Sequence, residues 1–179
     1  MFNDSNIIKN EIDKQISIKN WIEEKTNKNI LRFDLIFKMS ENGSLSQDFH
    51  KACDNQGPTL MFIKTTKKII FGGFTPLNWN KTYVKVYDEL NQTFIFSLNL
   101  MKKFDMIYKK KRAIACLSSD GPNFGACDFK LNTNIKKGVA YANSNCNFLS
   151  NNNLELLGGK GESQTFETEE FEVYKVIFT

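Results

Sequence analysis

The chain has 179 residues, 41% of them hydrophobic, and a formal net charge of +4 from 24 Lys and Arg against 20 Asp and Glu. That length suits one domain able to bury a core without metal or disulfide staples, and it excludes a small cysteine-stapled scaffold. The positive balance comes mostly from lysine and does not define a basic function, while 16 phenylalanines point to an aromatic core with strand surfaces.

Met1-Phe2-Asn3-Asp4-Ser5-Asn6 has no basic run followed by an apolar stretch, and no window is apolar enough to span a bilayer. A soluble, cytoplasmic protein is expected, with residues 1–10 as a loose lead-in. Ile18, Trp21 and Ile22 fall at i, i+3 and i+4 and predict an amphipathic helix near residues 11–24, with Trp21 as a packing anchor. Ile30 to Phe37 alternates as a half-buried strand, Leu31, Phe33, Leu35 and Phe37 on one face and Arg32 and Asp34 on the other. A short helix near 45–54 follows, with Asp48 in its first turn and Phe49, Ala52 and Cys53 on one side. Asn55-Gln56-Gly57-Pro58 stops it.

Thr59–Lys64 and Ile69–Phe74 are apolar runs joined by a polar link, the spacing of a β-hairpin. Gly72-Gly73 within the second run predicts a bulge or a close approach between sheets. After Trp79 comes a polar excursion with a short alternation at Tyr83–Tyr87. Thr93–Leu98 is then apolar on both faces, as a central strand would be. Ala113–Leu117 reads as a strand and Gly121-Pro122 as a turn. Asn132–Asn153 is expected to be loop around a short strand at Val139–Tyr141, and Phe166–Val176 closes the chain as a strand.

The run Phe49-His50, Cys53-Asp54, Gly57-Pro58-Thr59-Leu60, Ile70-Phe71-Gly72-Gly73-Phe74-Thr75 and Trp79 resembles, in order and spacing, the signature of the TLDc domain family, shared by the oxidation resistance proteins. The string Phe94-Ile95-Phe96-Ser97-Leu98 is similar to a later family strand, and Gly121-Pro122-Asn123-Phe124-Gly125 resembles the second signature, here with Cys127-Asp128 where relatives often have His before Asp. Ser40-Glu41-Asn42-Gly43 has Asn42 where the family often has Asp. The resemblance covers most of the chain and implies a single domain over 1–179. It also implies association with resistance to oxidative stress and, as for several relatives, with subunits of the vacuolar proton ATPase.

Three constellations bear on chemistry. His50, the only histidine, could pair with Cys53 three residues on, but no third orienting group is evident, and a packing role is expected for both. Cys53, Cys116, Cys127 and Cys146 lack paired spacing, so free thiols are expected, with no metal and no cofactor. Lys102, Lys103, Lys109, Lys110, Lys111 and Arg112 form a basic segment that would suit phosphates or an acidic protein surface, or would simply guard a strand edge.

Together these readings give an α+β fold, an antiparallel β-sandwich of two sheets flanked by short helices. The expected protein is a monomeric, non-catalytic, protein-binding domain in which Phe49, Cys53, Asp54, Gly57, Pro58, Gly72, Gly73, Trp79, Gly121, Pro122 and Gly125 are structural. Lys109, Lys110, Lys111 and Arg112 are the candidate partner-binding patch. The competing readings are a nucleic-acid-binding protein using residues 102–112, and a cysteine-dependent enzyme or redox protein.

Overall fold

A computed structural model describes residues 1–80, 82, 84–107, 112–125, 128–142, 145–149, 154–159 and 163–179. Helix α1 (Ile12–Thr26) forms on the expected stripe, with Ile18 and Ile22 fully buried and the Trp21 ring 6.3 Å from Phe96. Asn27, left-handed at φ 52°, ends it by donating its N–H to the Glu23 carbonyl, a stop that Asn tolerates better than most residues. Strand β1 (Ile30–Lys38) leads into the one-turn helix α2 (Met39–Asn42) and helix α3 (Ser46–Cys53). Asn42 acts through its side chain, whose Oδ1 accepts the Lys38 N–H at 2.7 Å.

The remaining strands are β2 (Thr59–Thr65), β3 (Ile70–Thr75), β4 (Val84–Val86), β5 (Phe94–Ser97), β6 (Lys102–Asp105), β7 (Ile114–Cys116), β8 (Asn123–Phe124), β9 (Phe129–Leu131), β10 (Lys137–Tyr141) and β11 (Ser163–Phe178). Every pairing between them is antiparallel. The α+β class with antiparallel strands and short helices is therefore observed. The pairing runs β1-β11-β2-β3-β5-β6 on one side and β4-β7-β8-β9-β10-β11 on the other. The 16-residue strand β11 belongs to both, its start pairing with β10 and its remainder with β2 and β1, so the two halves form one continuous hydrogen-bonded path.

Two apolar clusters follow from this arrangement. The larger takes Met61, Ile63, Phe71 and Ile95 from the first half and Ile114, Phe124, Phe129 and Leu131 from the second. Phe71 meets Phe129 edge-on at 5.4 Å, a favoured aromatic geometry, so the halves touch through their side chains. The smaller cluster lies on the other face of the first half, where Leu60, Phe62, Phe94 and Phe96 are covered by Ile18 and Ile22 of α1 and by Phe2 and Ile8. Period-2 alternation in β2 and β5 thus feeds both clusters, which is why Thr93–Leu98 reads as apolar on both faces and Thr59–Lys64 as an apolar run.

Residues 1–10 are not the loose lead-in expected. Phe2 and Ile8 are fully buried, and Phe2 packs 4.5 Å from Phe33 and 4.9 Å from Tyr174. Ser5 Oγ donates to Glu172 Oε2 at 2.5 Å, and the Asn6 N–H donates to Glu172 Oε1 at 2.6 Å. Strand β1 also departs from simple alternation. Pairing shifts at Ile30/Arg32 and Leu35/Phe37 leave Leu31 57% exposed and turn Ile36 and Phe37 to the larger cluster while Phe33 and Leu35 face the smaller one.

Candidate functional site

Asp48 Oδ2 accepts the Leu45 N–H at 3.0 Å and holds the first turn of α3. On the buried side of that helix Phe49 and Cys53 have no exposure, and the Phe49 ring lies 5.7 Å from Trp79. His50, 2% exposed, reaches across to the loop before β8. Its Nδ1 lies 2.8 Å from Asp54 Oδ1, and its Nε2 lies 2.9 Å and 3.1 Å from the carbonyl oxygens of Leu117 and Asp120. All three partners are oxygen acceptors. Both ring nitrogens are therefore occupied, Nδ1 on Asp54 at the end of α3 and Nε2 in tying that helix to residues 117–120, and neither is left to take a proton from Cys53. His50→Ala is expected to cost about 2 kcal/mol in a urea melt, because a carboxylate and two carbonyls lose their donor. A variant as stable as wild type would show that the clasp contributes nothing.

The glycine pair explains itself by distance rather than by backbone angle. Pairing with β2 and β5 is regular through Gly72 and Gly73, so there is no bulge. A Cβ on Gly72 would fall well inside contact with the Met61 carbonyl oxygen, and one on Gly73 would sit 2.6 Å from the Phe124 ring. The close-approach reading holds: β3 passes directly under β8. Trp79 lies beside the same ring at 5.6 Å and donates its indole N–H to Thr59 Oγ1 at 2.9 Å. Gly57, at φ 81°, donates its N–H to Asn78 Oδ1, and the Pro58 carbonyl accepts the Val176 N–H.

The second motif closes on the first. The Gly121 N–H donates to the Leu131 carbonyl and the Pro122 carbonyl accepts the Leu131 N–H, which fixes this turn against β9. Gly125 has φ 70°, and any Cβ there would collide with the Asp128 carboxylate. Asp128, fully buried, accepts the N–H groups of Phe148 and Leu149 on Oδ1 at 2.7 Å each and that of Asn147 on Oδ2 at 2.8 Å. Burial pushes its carboxyl up to about 6, against the pull of these donors. The structure therefore brings the two motifs together at three points: His50 on residues 117–120, Gly73 under Phe124, and Trp79 beside Phe124. Sequence spacing gave no sign of this meeting, because His50 and Leu117 are 67 positions apart.

The charged segments divide by burial. Lys102 pairs with Glu155, and Lys103 lies 3.5 Å from Glu24, both on the edge strand β6, as an edge-guarding role would require. Lys109, Lys110 and Lys111 lie outside the described residues; the Arg112 carbonyl accepts the Asn147 side-chain N–H at 3.3 Å. The acidic run of β11 is split between surface and interior, with Glu167 and Glu169 exposed. Glu169 pairs with Lys64 and Lys68 at the surface, whereas Glu170 and Glu172 are buried and hold the N-terminal segment and the start of α2, Glu170 accepting the Ser40 N–H. Burial pushes the Glu172 carboxyl up from its usual range.

Cys53 and Cys116 are free and buried, Cys146 is buried, and Cys127 lies outside the described residues. Burial first, and the Asp54 charge second, push the Cys53 thiol well above its usual value. Burial raises Cys116 as well. These are environments of inert thiols rather than of nucleophiles. Among the described residues no group of acidic, His or Cys side chains gathers as metal ligands. Reductant and chelator together are expected to leave the melting temperature unchanged; a fall of several degrees with chelator alone would reveal a metal.

A comparison with curated proteins gives no match. The family model of the TLDc domain matches residues 1–177, nearly the whole chain, and includes both motifs and the closing strand β11. The chain belongs to the TLDc domain family.

Proposed function

We propose that this protein is a non-catalytic, protein-binding TLDc domain, acting in resistance to oxidative stress through subunits of the vacuolar proton ATPase. The observation that carries the reading is the meeting of the two motifs. Trp79, His50, Asp54, Asp128 and the close-packed glycines Gly72, Gly73 and Gly125 are all engaged in holding one body together. Surface recognition is the function such a body serves best, since a rigid antiparallel frame presents a fixed face to a partner. No described helix is long and apolar enough to cross a membrane, so contact with an acidic organelle would run through the partner.

A pull-down with the full chain from its native organism, scored for ATPase subunits, tests the proposal. Recovery of the subunits is expected, and their absence from a capture that is otherwise productive would remove that partner. Titration with labelled duplex and single-stranded DNA at two salt concentrations tests the nucleic-acid reading. Weak binding without sequence preference is expected, because Lys102 and Lys103 are already engaged with Glu155 and Glu24.

A further inference from the structure

Strand β1 is paired on one side only. Its register follows β11 from Ile30↔Phe178 to Lys38↔Glu172, and no other strand among the described residues pairs with it. Side chains close its two ends, the Ile30 N–H donating to Glu23 Oε1 and the Lys38 N–H to Asn42 Oδ1, but the stretch between them has β11 as its one partner strand, and unpaired backbone N–H and C=O groups there are a template for another strand. The opposite edge of the same half is built differently. Strand β6 has four residues, among them Lys102, Lys103 and Asp105, the short charged edge that resists pairing.

Between its two pairing shifts β1 keeps one regular run, Arg32–Leu35. Along it Arg32 Nε donates to Asp34 Oδ1 at 2.9 Å, with both side chains well exposed at 58% and 40%, and neither has another ion-pair partner among the described residues. Leu31 stands exposed at one end of the run, beside a cleft of about 190 Å³ lined by Met1, Lys19, Ile30 and Phe33.

We propose that β1 is the contact through which two copies of this chain associate, strand against strand, antiparallel about a two-fold axis at Phe33. An antiparallel pairing centred there sets Phe33 opposite itself and Arg32 opposite Asp34 of the second copy, all within the regular run. The ion pair within each strand is exchanged for two across the interface. No other antiparallel register sets Arg32 against Asp34. The pattern is thus self-complementary, which an isologous contact requires and a foreign strand does not. This association goes beyond the protein-binding reading and does not depend on it.

Sedimentation of the full chain over a range of concentrations reads the result. The mean mass is expected to rise from 20.6 kDa towards twice that value. Arg32→Asp and Asp34→Arg each set like charges opposite one another twice, and each is expected to weaken association about tenfold. The double variant Arg32→Asp with Asp34→Arg reverses the order of charges, keeps their complementarity, and is expected to restore association. A thermal melt of each variant shows that the fold is retained, since both positions are exposed. A wild type that stays at 20.6 kDa throughout, a dimer indifferent to the single reversals, or a double variant no better than the singles would each overturn the proposal.

Discussion

Gly72→Ala is expected to lower stability by more than about 3 kcal/mol, the upper end of what overpacking costs, because the new methyl meets backbone rather than a side chain. Its Cβ would press into the Met61 carbonyl, which belongs to the paired strand β2, and would lie 2.8 Å from the Phe96 ring. Relief would require β2 and β3 to separate in the middle of the sheet, where pairing continues on both sides through β11 and β5. Gly73→Ala meets the Phe124 ring first, a side chain that can tilt, so about 1–3 kcal/mol is expected there. For a domain of this size about 3 kcal/mol corresponds to a melting temperature lower by roughly 6–12 °C. Thermal melts of both variants give the order directly: Gly72→Ala melting at or above Gly73→Ala would contradict the backbone argument.

The order of loss also shows which parts of the fold were readable from the sequence. Helix α1, the hairpin of β2 and β3, and the central strand β5 were visible because their side-chain periods are long enough to repeat and their ends carry turn residues. The close approach at Gly73 was foreseen, but the partner was not, since nothing in residues 70–75 names Phe124. The N-terminal ten residues have no period, so the anchoring of Phe2 and Ile8 could not be seen. Glu170 and Glu172 lie in an acidic stretch of the closing strand, and a strand position does not reveal which side is covered. Their buried role depends on Ser5, Asn6 and Ser40, more than a hundred positions away. His50 was correctly placed as a packing residue, and its three acceptors became known only once the loop before β8 was in position.

Asp128→Ala carries the largest expected effect tied to a single side chain. The carboxylate is the acceptor for three backbone N–H groups of residues 147–149, and removing it leaves them buried without a partner, at about 1–3 kcal/mol each. A loss of roughly 3–6 kcal/mol at neutral pH follows, with partial relief if water enters the space left behind. The pH dependence separates this role from generic packing. In the folded chain the Asp128 carboxyl is raised to about 6, above the value of about 4 of an unfolded Asp, so the native state binds its proton more tightly than the unfolded state does. Stability from this group is therefore fully present below the unfolded value and is lost as pH rises through about 6. Between pH 7 and pH 5 wild type should gain about 1–2 kcal/mol from Asp128 alone, a gain that Asp128→Ala cannot make. The raised Glu172 adds a gain of the same sign, and the lowered Glu23 and Glu169 one of opposite sign, but all three are common to both proteins. Urea melts of wild type and variant at the two pH values isolate the term. The stability gap should be wider at pH 5 than at pH 7 by about that amount. A gap that is constant, or that narrows on acidification, would show that the buried carboxyl at the end of the second motif is not titrating in the folded protein.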